Sequence, residues 1–528
     1  LSTSESAQAA LISARDSRDS ALLDRAFTRA AGAPLVPGNR VRLLKNAADN
    51  YPAWLDAIHH AERTIFFENY FICEDDIGRE FAAALSERAR AGVQVRVIYD
   101  WLGSLHKASR KFWRGMMQAG VEVRRFNPLR LSSPLDVAHR DHRKMLAVDG
   151  RVGFVTGLCV GKMWTGDPGR GIEPWRDTGI EVRGPALCDI ERAFAQVWSA
   201  IGAPIPPEQL VIREAIPEAG DVSVRIVANA PGTTGIFRLD QLIAAAARRT
   251  LWLTDAYFAG IPPYVQALRA AALDGVDVRL LVPGASDIPF LRPLSQAGFR
   301  PLLETGVRVF EWKGSMLHAK TAVADGRWAR VGSSNLNVAS WLGNYELDAV
   351  VENEAFAADM DEMYLADLAN STEIVLEPKP RRMRLASIGA REAADGGSRA
   401  GASRLRSAEE ARQRREGLGM SGSASRAAAG ALRIGRTVGA ALTEQRVLAS
   451  TEARVVAIVG ALLLGAGIVG IIWPLVVAIP LVIVLLWMSV VLLMRAHTLW
   501  RQRRSKGLPA TRVARAESSR PSQTAPPP

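Results

Sequence analysis

The chain has 528 residues, 48% hydrophobic and 23% charged, a composition that excludes a collagen-like or wholly disordered protein and allows two to four domains. Its three cysteines, Cys73, Cys159 and Cys188, form no C-x-x-C pair, which excludes a disulfide framework and a cysteine-based zinc site. The formal net charge of +12 is unevenly placed: residues 1–374 carry 42 Lys and Arg against 45 Asp and Glu, net −3, and residues 375–528 carry 24 against 9, net +15, so no nucleic-acid partner is expected.

Residues 1–40 predict an N-terminal helical extension, and residues 1–36 contain no apolar run of the kind a secretory signal needs. From Val41 short β-branched or aromatic runs alternate with helical stretches. Thr64 to Phe71 reads as a buried strand. Asp76 to Ala91 reads as a helix capped by Asp75 or Asp76, with Ile77, Phe81 and Leu85 on one face and Gly92 past its end. Val93 to Tyr99 is the next strand, and this β-α-β rhythm predicts an α/β fold with a mainly parallel sheet.

The rhythm then returns in the same words. ERTIFFENYF (62–71) matches RRTLWLTDAYF (248–258), AGVQVRV (91–97) matches DGVDVRL (274–280), and AGVEVRRF (119–126) matches TGVRVFEW (305–312). The offset of about 185 residues predicts one duplicated α/β unit, with halves at 41–215 and 216–374 joined through the Pro-rich stretch from Ala203 to about Asp221.

Beyond Ile374 the composition turns to Arg, Ala, Gly and Ser, which predicts a basic flexible linker over 375–430. Residues 431–454 predict an amphipathic helix with Leu432, Val438, Leu442 and Val447 set among Arg433, Arg436 and Arg446. In Val455 to Met494 the only polar side chains are Ser489, Trp473 and Trp487, and a single helix of that length would be about twice the hydrocarbon thickness. A transmembrane helical hairpin turning near Pro474 and Pro480 fits instead. The arginines on both flanks put its two ends in the cytoplasm, with a basic disordered tail over 495–528.

His142-Arg-Lys144 is followed after four residues by Asp149, and His318-Ala-Lys320 after four by Asp325. Composition alone would yield this H-x-K-x4-D spacing roughly 0.006 times in such a chain, and its two copies stand at matching points of the duplication. Two imidazoles and two ammonium groups suit attack on a phosphodiester. One neutral imidazole attacks phosphorus, the other protonates the leaving oxygen, and Lys144 and Lys320 neutralise the phosphate oxygens. His139 and His142 are the only pair at metal-ligand spacing beside the motif, and no third ligand is evident. Neither a metal nor another cofactor is therefore expected.

The paired motifs in duplicated halves resemble the phospholipase D superfamily, and the phrases ENYFICEDDIGREF, RVIYDWLGS, PWRDTGIEVRGPAL and LLETGVRVFEW most resemble its bacterial cardiolipin synthases. The resemblance implies two α/β/α sandwich halves forming one catalytic unit, and formation of cardiolipin from phosphatidylglycerol through a phosphohistidine on His142. Lipid hydrolysis and phosphodiesterase or nuclease activity of the same superfamily are the alternatives. It implies that Asp177 and Glu346 hold the catalytic imidazoles, that Asp149 and Asp325 are structural, and that Ser333 and Asn335 of Gly332-Ser-Ser-Asn335 contact phosphate. Cys159 stands where the first half would have the matching Asn. The resemblance also implies an anionic phospholipid partner and a place on the cytoplasmic (inner) membrane with the catalytic part facing the cytoplasm. One departure is visible: this chain carries its apolar hairpin after the catalytic part, whereas the relatives carry their spans before it.

Overall fold

The computed structural model describes residues 23–128, 139–288 and 291–376, and the isolated positions 482, 486, 487 and 489. Contacts divide the chain into one unit of Leu1–Pro128 with Asp136–Ala453 and another of Leu129–Leu135 with Arg454–Pro528. In the second unit Val482, Leu486, Trp487 and Ser489 are helical. Apart from those four positions, the hairpin expected at 455–494 lies outside the described residues. So do the helix expected at 431–454, the tail at 495–528, and the linker beyond residue 376. Among the described residues no helix is long and apolar enough to cross a membrane.

The first unit is built on one sheet of fifteen strands. The first half contributes β1 (Val36–Lys45), β2 (Thr64–Asn69), β3 (Gln94–Asp100), β4 (Glu122–Phe126), β5 (Met145–Val148), β6 (Val152–Thr156) and β7 (Thr178–Arg183). The second contributes β8 (Val222–Asn229), β9 (Thr250–Thr254), β10 (Asp277–Pro283), β11 (Arg308–Trp312), β12 (Thr321–Ala324), β13 (Trp328–Gly332), β14 (Glu346–Glu352) and β15 (Ser371–Ile374). Outward from the antiparallel β1–β8 contact at the centre, one half runs β1-β7-β6-β5-β2-β3-β4 and the other β8-β14-β13-β12-β9-β10-β11-β15. The two orders match position for position until β15, so the duplication read from the sequence is a duplication of the fold. β1 begins at Val36, inside the stretch expected as an N-terminal extension, of which residues 23–31 are helical.

The sheet is not mainly parallel, which corrects the sequence expectation. Only β2–β3, β3–β4, β9–β10 and β10–β11 run parallel; the other ten adjacent pairs are antiparallel. The helical crossovers that announce parallel strands occupy only the outer part of each half. The motif segments fold back as tight hairpins, β5–β6 and β12–β13, which need no crossover.

Helices cover both faces. In the first half Asn46–His59, Asp76–Arg90 and Arg110–Gln118 pack on one face and Leu187–Ala200 on the other. β2 shows why its sequence is a continuous apolar run: Ile65 and Phe67 join Trp54 and Phe81 on one face, while Phe66 stacks on Phe194 across the other at 5.0 Å between centroids. These side chains are buried, each contributing about 1.5–3 kcal/mol. Helix Asp76–Arg90 begins where expected, with the Asp75 carboxylate accepting from Gly78 N, and ends at Gly92 with φ +93°.

Candidate active site

Each motif leads into a strand, β5 or β12, and ends in a turn. Asp149 and Gly150 have φ of +57° and +65°, and Asp325 and Gly326 have +55° and +66°, the pair of left-handed residues that a tight hairpin requires. The Asp149 carboxylate accepts from the backbone N–H groups of Glu62, Arg63 and Thr64 at 2.7–2.8 Å. Asp325 does the same for Arg248, Arg249 and Thr250 at 2.7–3.0 Å. Both carboxylates thereby tie a motif hairpin to the start of the adjacent strand, β2 or β9.

At the other end of each motif the two halves interlock. His142 N donates to Tyr345 O at 2.9 Å and Tyr345 N to Arg140 O at 2.8 Å, while His318 N donates to Arg176 O at 2.7 Å and Arg176 N to Met316 O at 2.9 Å. Tyr345 and Arg176 immediately precede Glu346 and Asp177. These two short bridges therefore set each acid beside the histidine of the opposite half. Glu346 Oε2 lies 3.0 Å from His142 Nδ1, and Asp177 Oδ2 lies 2.7 Å from His318 Nδ1. With Nδ1 directed at a carboxylate, Nε2 is the atom each ring can offer to a substrate, and no protein group among the described residues hydrogen-bonds it.

The acids are themselves held. Glu346 accepts from Ser333 Oγ at 2.6 Å and Asn344 Nδ2 at 3.2 Å, and Asp177 from Trp164 Nε1 at 3.0 Å and Thr178 N at 2.9 Å. Ser333 is thus brought to the carboxylate. Asn335 is buried with its side-chain oxygen unpartnered, and Cys159, at the matching place, is also buried and its thiol pushed up by that burial. Lys144 and Lys320 each donate to the carbonyl of their own motif histidine, and Lys320 Nζ also lies 2.9 Å from His318 Nδ1.

Burial sets the protonation. It lowers both imidazoles, helped by the lysine charges and opposed by the acids; His318 falls to about 3, and His142 falls below its ordinary value. Both rings are therefore neutral in the empty site at pH 7. Burial together with Lys144 brings Lys320 down to about 8, against the pull of Asp177 and Asp255. Asp177 stays ionised: burial opposes its charge, but His318 and Lys320 bring it to about 2. Glu346 is lowered in the same way by His142 and Lys144 against its own burial.

Comparison with known proteins identifies the family. A family model described as "Cardiolipin synthase, PLD-like domain" matches residues 54–162 and 239–368, one stretch in each half. Cardiolipin synthase A of Pseudomonas fluorescens SBW25 is 33% identical over 387 residues, covering 72% of this chain and 79% of the relative. Cardiolipin synthase 1 of Bacillus cereus is 31% identical over 362 residues, covering 67% and 71%. The chain belongs to the phospholipase D-like cardiolipin synthase family. It is accordingly a phosphatidyltransferase of the phospholipase D superfamily. The crystal structure of phosphatidylserine synthase from Haemophilus influenzae Rd KW20 shares the fold, with a TM-score of 0.53 at 13% identity over 67% of this chain and 92% of that one.

In this family member His139, weighed as a metal ligand, turns its Nδ1 to Gly343 O at 2.9 Å, and no group of three His, Cys, Asp or Glu among the described residues is set to hold a metal. Several site residues escaped the sequence reading. Tyr70 meets His142 edge-on at 5.1 Å and Tyr257 meets His318 at 5.8 Å; their signal was the repeated ENYF and DAYF, read as marks of the duplication and not as site residues. Trp164 and Trp175 flank His318 at 5.5 and 5.7 Å. The buried Arg176 guanidinium pairs with both Asp367 oxygens at 2.8 Å and donates to Asp177 O, steadying the backbone that carries the acid.

Proposed function

We propose that this enzyme makes cardiolipin and glycerol from two molecules of phosphatidylglycerol through a phosphohistidine. The observation that carries the reading is the crossed pair of His–carboxylate contacts beside two buried lysines, each lysine's charge reaching the histidine of the opposite half, in a chain whose relatives are named cardiolipin synthases. Binding the anionic phosphodiester raises the pKa of both imidazoles, so the site takes up the one proton it needs as substrate arrives. His142 Nε2 attacks phosphorus, the P–O bond to the leaving glycerol breaks, and His318 delivers its proton to that oxygen. The hydroxyl of the second phosphatidylglycerol then gives its proton to His318 and attacks phosphorus, breaking the P–N bond.

Glu346 and Asp177 orient the rings and offset the positive charge that each gains in turn. Lys144 and Lys320 stabilise the equatorial oxygens and Asn335 completes the phosphate contacts, whereas Ser333, expected there from the sequence, is buried and spends its hydroxyl on Glu346. Residues 455–494 anchor the enzyme as a hairpin in the inner membrane, with the catalytic halves and the tail in the cytoplasm. Labelled phosphatidylglycerol in mixed micelles with the purified full-length protein tests the reading: cardiolipin and free glycerol are the expected products. Phosphatidic acid as sole lipid product would make the enzyme a hydrolase.

A further inference from the structure

We infer that residues 101–114, which leave the end of β3 beside His142, form a docking surface for an anionic phospholipid bilayer. The inference rests on the lipid-substrate reading above and adds where the bilayer is met. Leu102 and Leu105 of this segment are 41% and 42% exposed. Lys107, Arg110, Lys111 and Arg114 follow them into the first turns of helix Arg110–Gln118, and no Asp or Glu occurs from Trp101 to Val121, in a part of the chain whose net charge is negative. None of the four cations pairs with a carboxylate among the described residues; Lys107 Nζ instead lies over the Phe71 ring at 4.5 Å. Glu74, whose carboxylate accepts from Ser109 N at 2.8 Å, also feels the Lys111 charge, without forming an ion pair with any of the four. Exposed leucines flanked by an excess of cations are suited to a surface that is apolar within and negative at its headgroups, as an anionic bilayer is.

The segment is fastened to the active site. Asp100 Oδ1 accepts from Leu102 N and Gly103 N, both at 2.9 Å, and its Oδ2 accepts from Asp141 N at 3.0 Å, one residue before His142. Gly103 lies so close to Tyr70 that a Cβ there would stand 2.7 Å from the ring, and Tyr70 packs against His142. A bilayer that receives Leu102 and Leu105 therefore presents its headgroups next to the His142 side of the cleft. On the opposite side, the exposed Val338 follows Asn337, whose amide donates to Tyr257 O beside His318 at 3.0 Å.

The test uses full-length protein in nanodiscs. An environment-sensitive fluorophore is placed on Leu105→Cys, with Ile212→Cys, which replaces a 61% exposed residue in the join between halves, as control; the three native cysteines are buried. Nitroxide-bearing acyl chains should quench the label at 105 about threefold or more in phosphatidylglycerol discs, while the label at 212 stays unquenched. In parallel, Arg110→Glu, Lys111→Glu and Arg114→Glu together should raise KM on phosphatidylglycerol vesicles about tenfold. The rate on soluble short-chain phosphatidylglycerol should stay within about twofold. Equal quenching at the two positions, equal quenching at 105 in phosphatidylcholine discs, or an unchanged vesicle KM overturns the inference. If the wild type turns over no phospholipid, the functional reading falls, and the quenching comparison still decides where the bilayer sits.

Discussion

The Asp177 carboxylate and the His318 imidazole, 141 residues apart in the chain, meet at 2.7 Å, and Asp177 belongs to the half that does not contain His318. Glu346 reaches back 204 residues to His142 in the same way. Each half thus completes the dyad of the other. Asp177→Asn and Glu346→Gln should each keep the fold and lower kcat about 100-fold, because an amide neither holds the required tautomer nor offsets imidazolium charge. A variant with wild-type kcat and pH profile would remove that residue from the chemistry.

His142→Asn and His318→Asn should each lower turnover at least about 100-fold, since a two-step displacement needs both a nucleophile and an acid. With a substrate whose leaving group needs no protonation, His318→Asn should still form the covalent adduct and His142→Asn should not. Mass spectrometry of the trapped protein reads this directly. An adduct on His318 would reverse the roles.

The pH dependence follows from burial. His142 is held below its ordinary value, so the acid limb of kcat/KM should lie below pH 6.5. Because both rings start neutral and substrate arrival must bring a proton, kcat/KM should decline as pH rises, and loss of the Lys320 charge at about 8 should steepen that decline. Lys320→Arg should remove the steepening near 8, because guanidinium does not titrate there. A steepening still near 8 in that variant would assign it to another group. Stability has its own window: between pH 6.5 and about 3 His318 binds fewer protons folded than unfolded, so its contribution is lost as pH falls through that range. Asp177 acts in the same direction between 3.8 and about 2. Buried Asp141 and Asp255, both raised to about 7, act oppositely, and their contributions are lost as pH rises through 7.

The sequence carries the duplication clearly, because TIFFENYF and TLWLTDAYF are strands buried on both faces and the apolar demand on each repeats. It hides the antiparallel inner strands: MLAV and TAVA are four residues long, and neither run reveals its direction. The histidines and lysines are legible as paired motifs. Asp177 and Glu346 could be identified only through family resemblance, and their crossing could not be read at all, since it depends on the bridges from Tyr345 to Asp141 and from Arg176 to Leu317 across the seam. The sequence does not mark Tyr70, Trp164, Trp175 and Tyr257 as neighbours of the imidazoles, because each lies far from its histidine along the chain and meets it only in the fold.

Asp149 and Asp325 separate structure from chemistry. Asp149→Ala would leave three N–H groups at the start of β2 without their acceptor and place a Cβ-bearing residue without a local partner at φ +57°. A loss of about 2–4 kcal/mol of stability is expected. Asp149→Asn, which tolerates the left-handed backbone and keeps one acceptor oxygen, should lose less. At a temperature where both variants are folded, kcat should stay within a few-fold of wild type. A large fall in kcat with unchanged thermal stability would put Asp149 in the catalytic machinery.

The last prediction concerns where the catalytic unit ends. β15, Ser371–Ile374, pairs antiparallel with β11 through four residue pairs, and Arg308 holds Glu373 with two bonds of 2.8 Å. A cut before Ser371 would strip the edge from β11, whereas a cut after Leu376 leaves every strand of the sheet intact. The longer fragment should be obtainable without detergent and should hydrolyse short-chain phosphatidylglycerol. If 455–494 anchors the enzyme as proposed, the fragment should lose most synthesis on intact vesicles, since it is no longer held at a surface where the acceptor lipid is concentrated and water competes less well. Ending the chain at Asn370 should instead lower stability and activity on both substrates. Full synthesis on vesicles by the fragment ending at Leu376 would show that the C-terminal region has no part in presenting the acceptor.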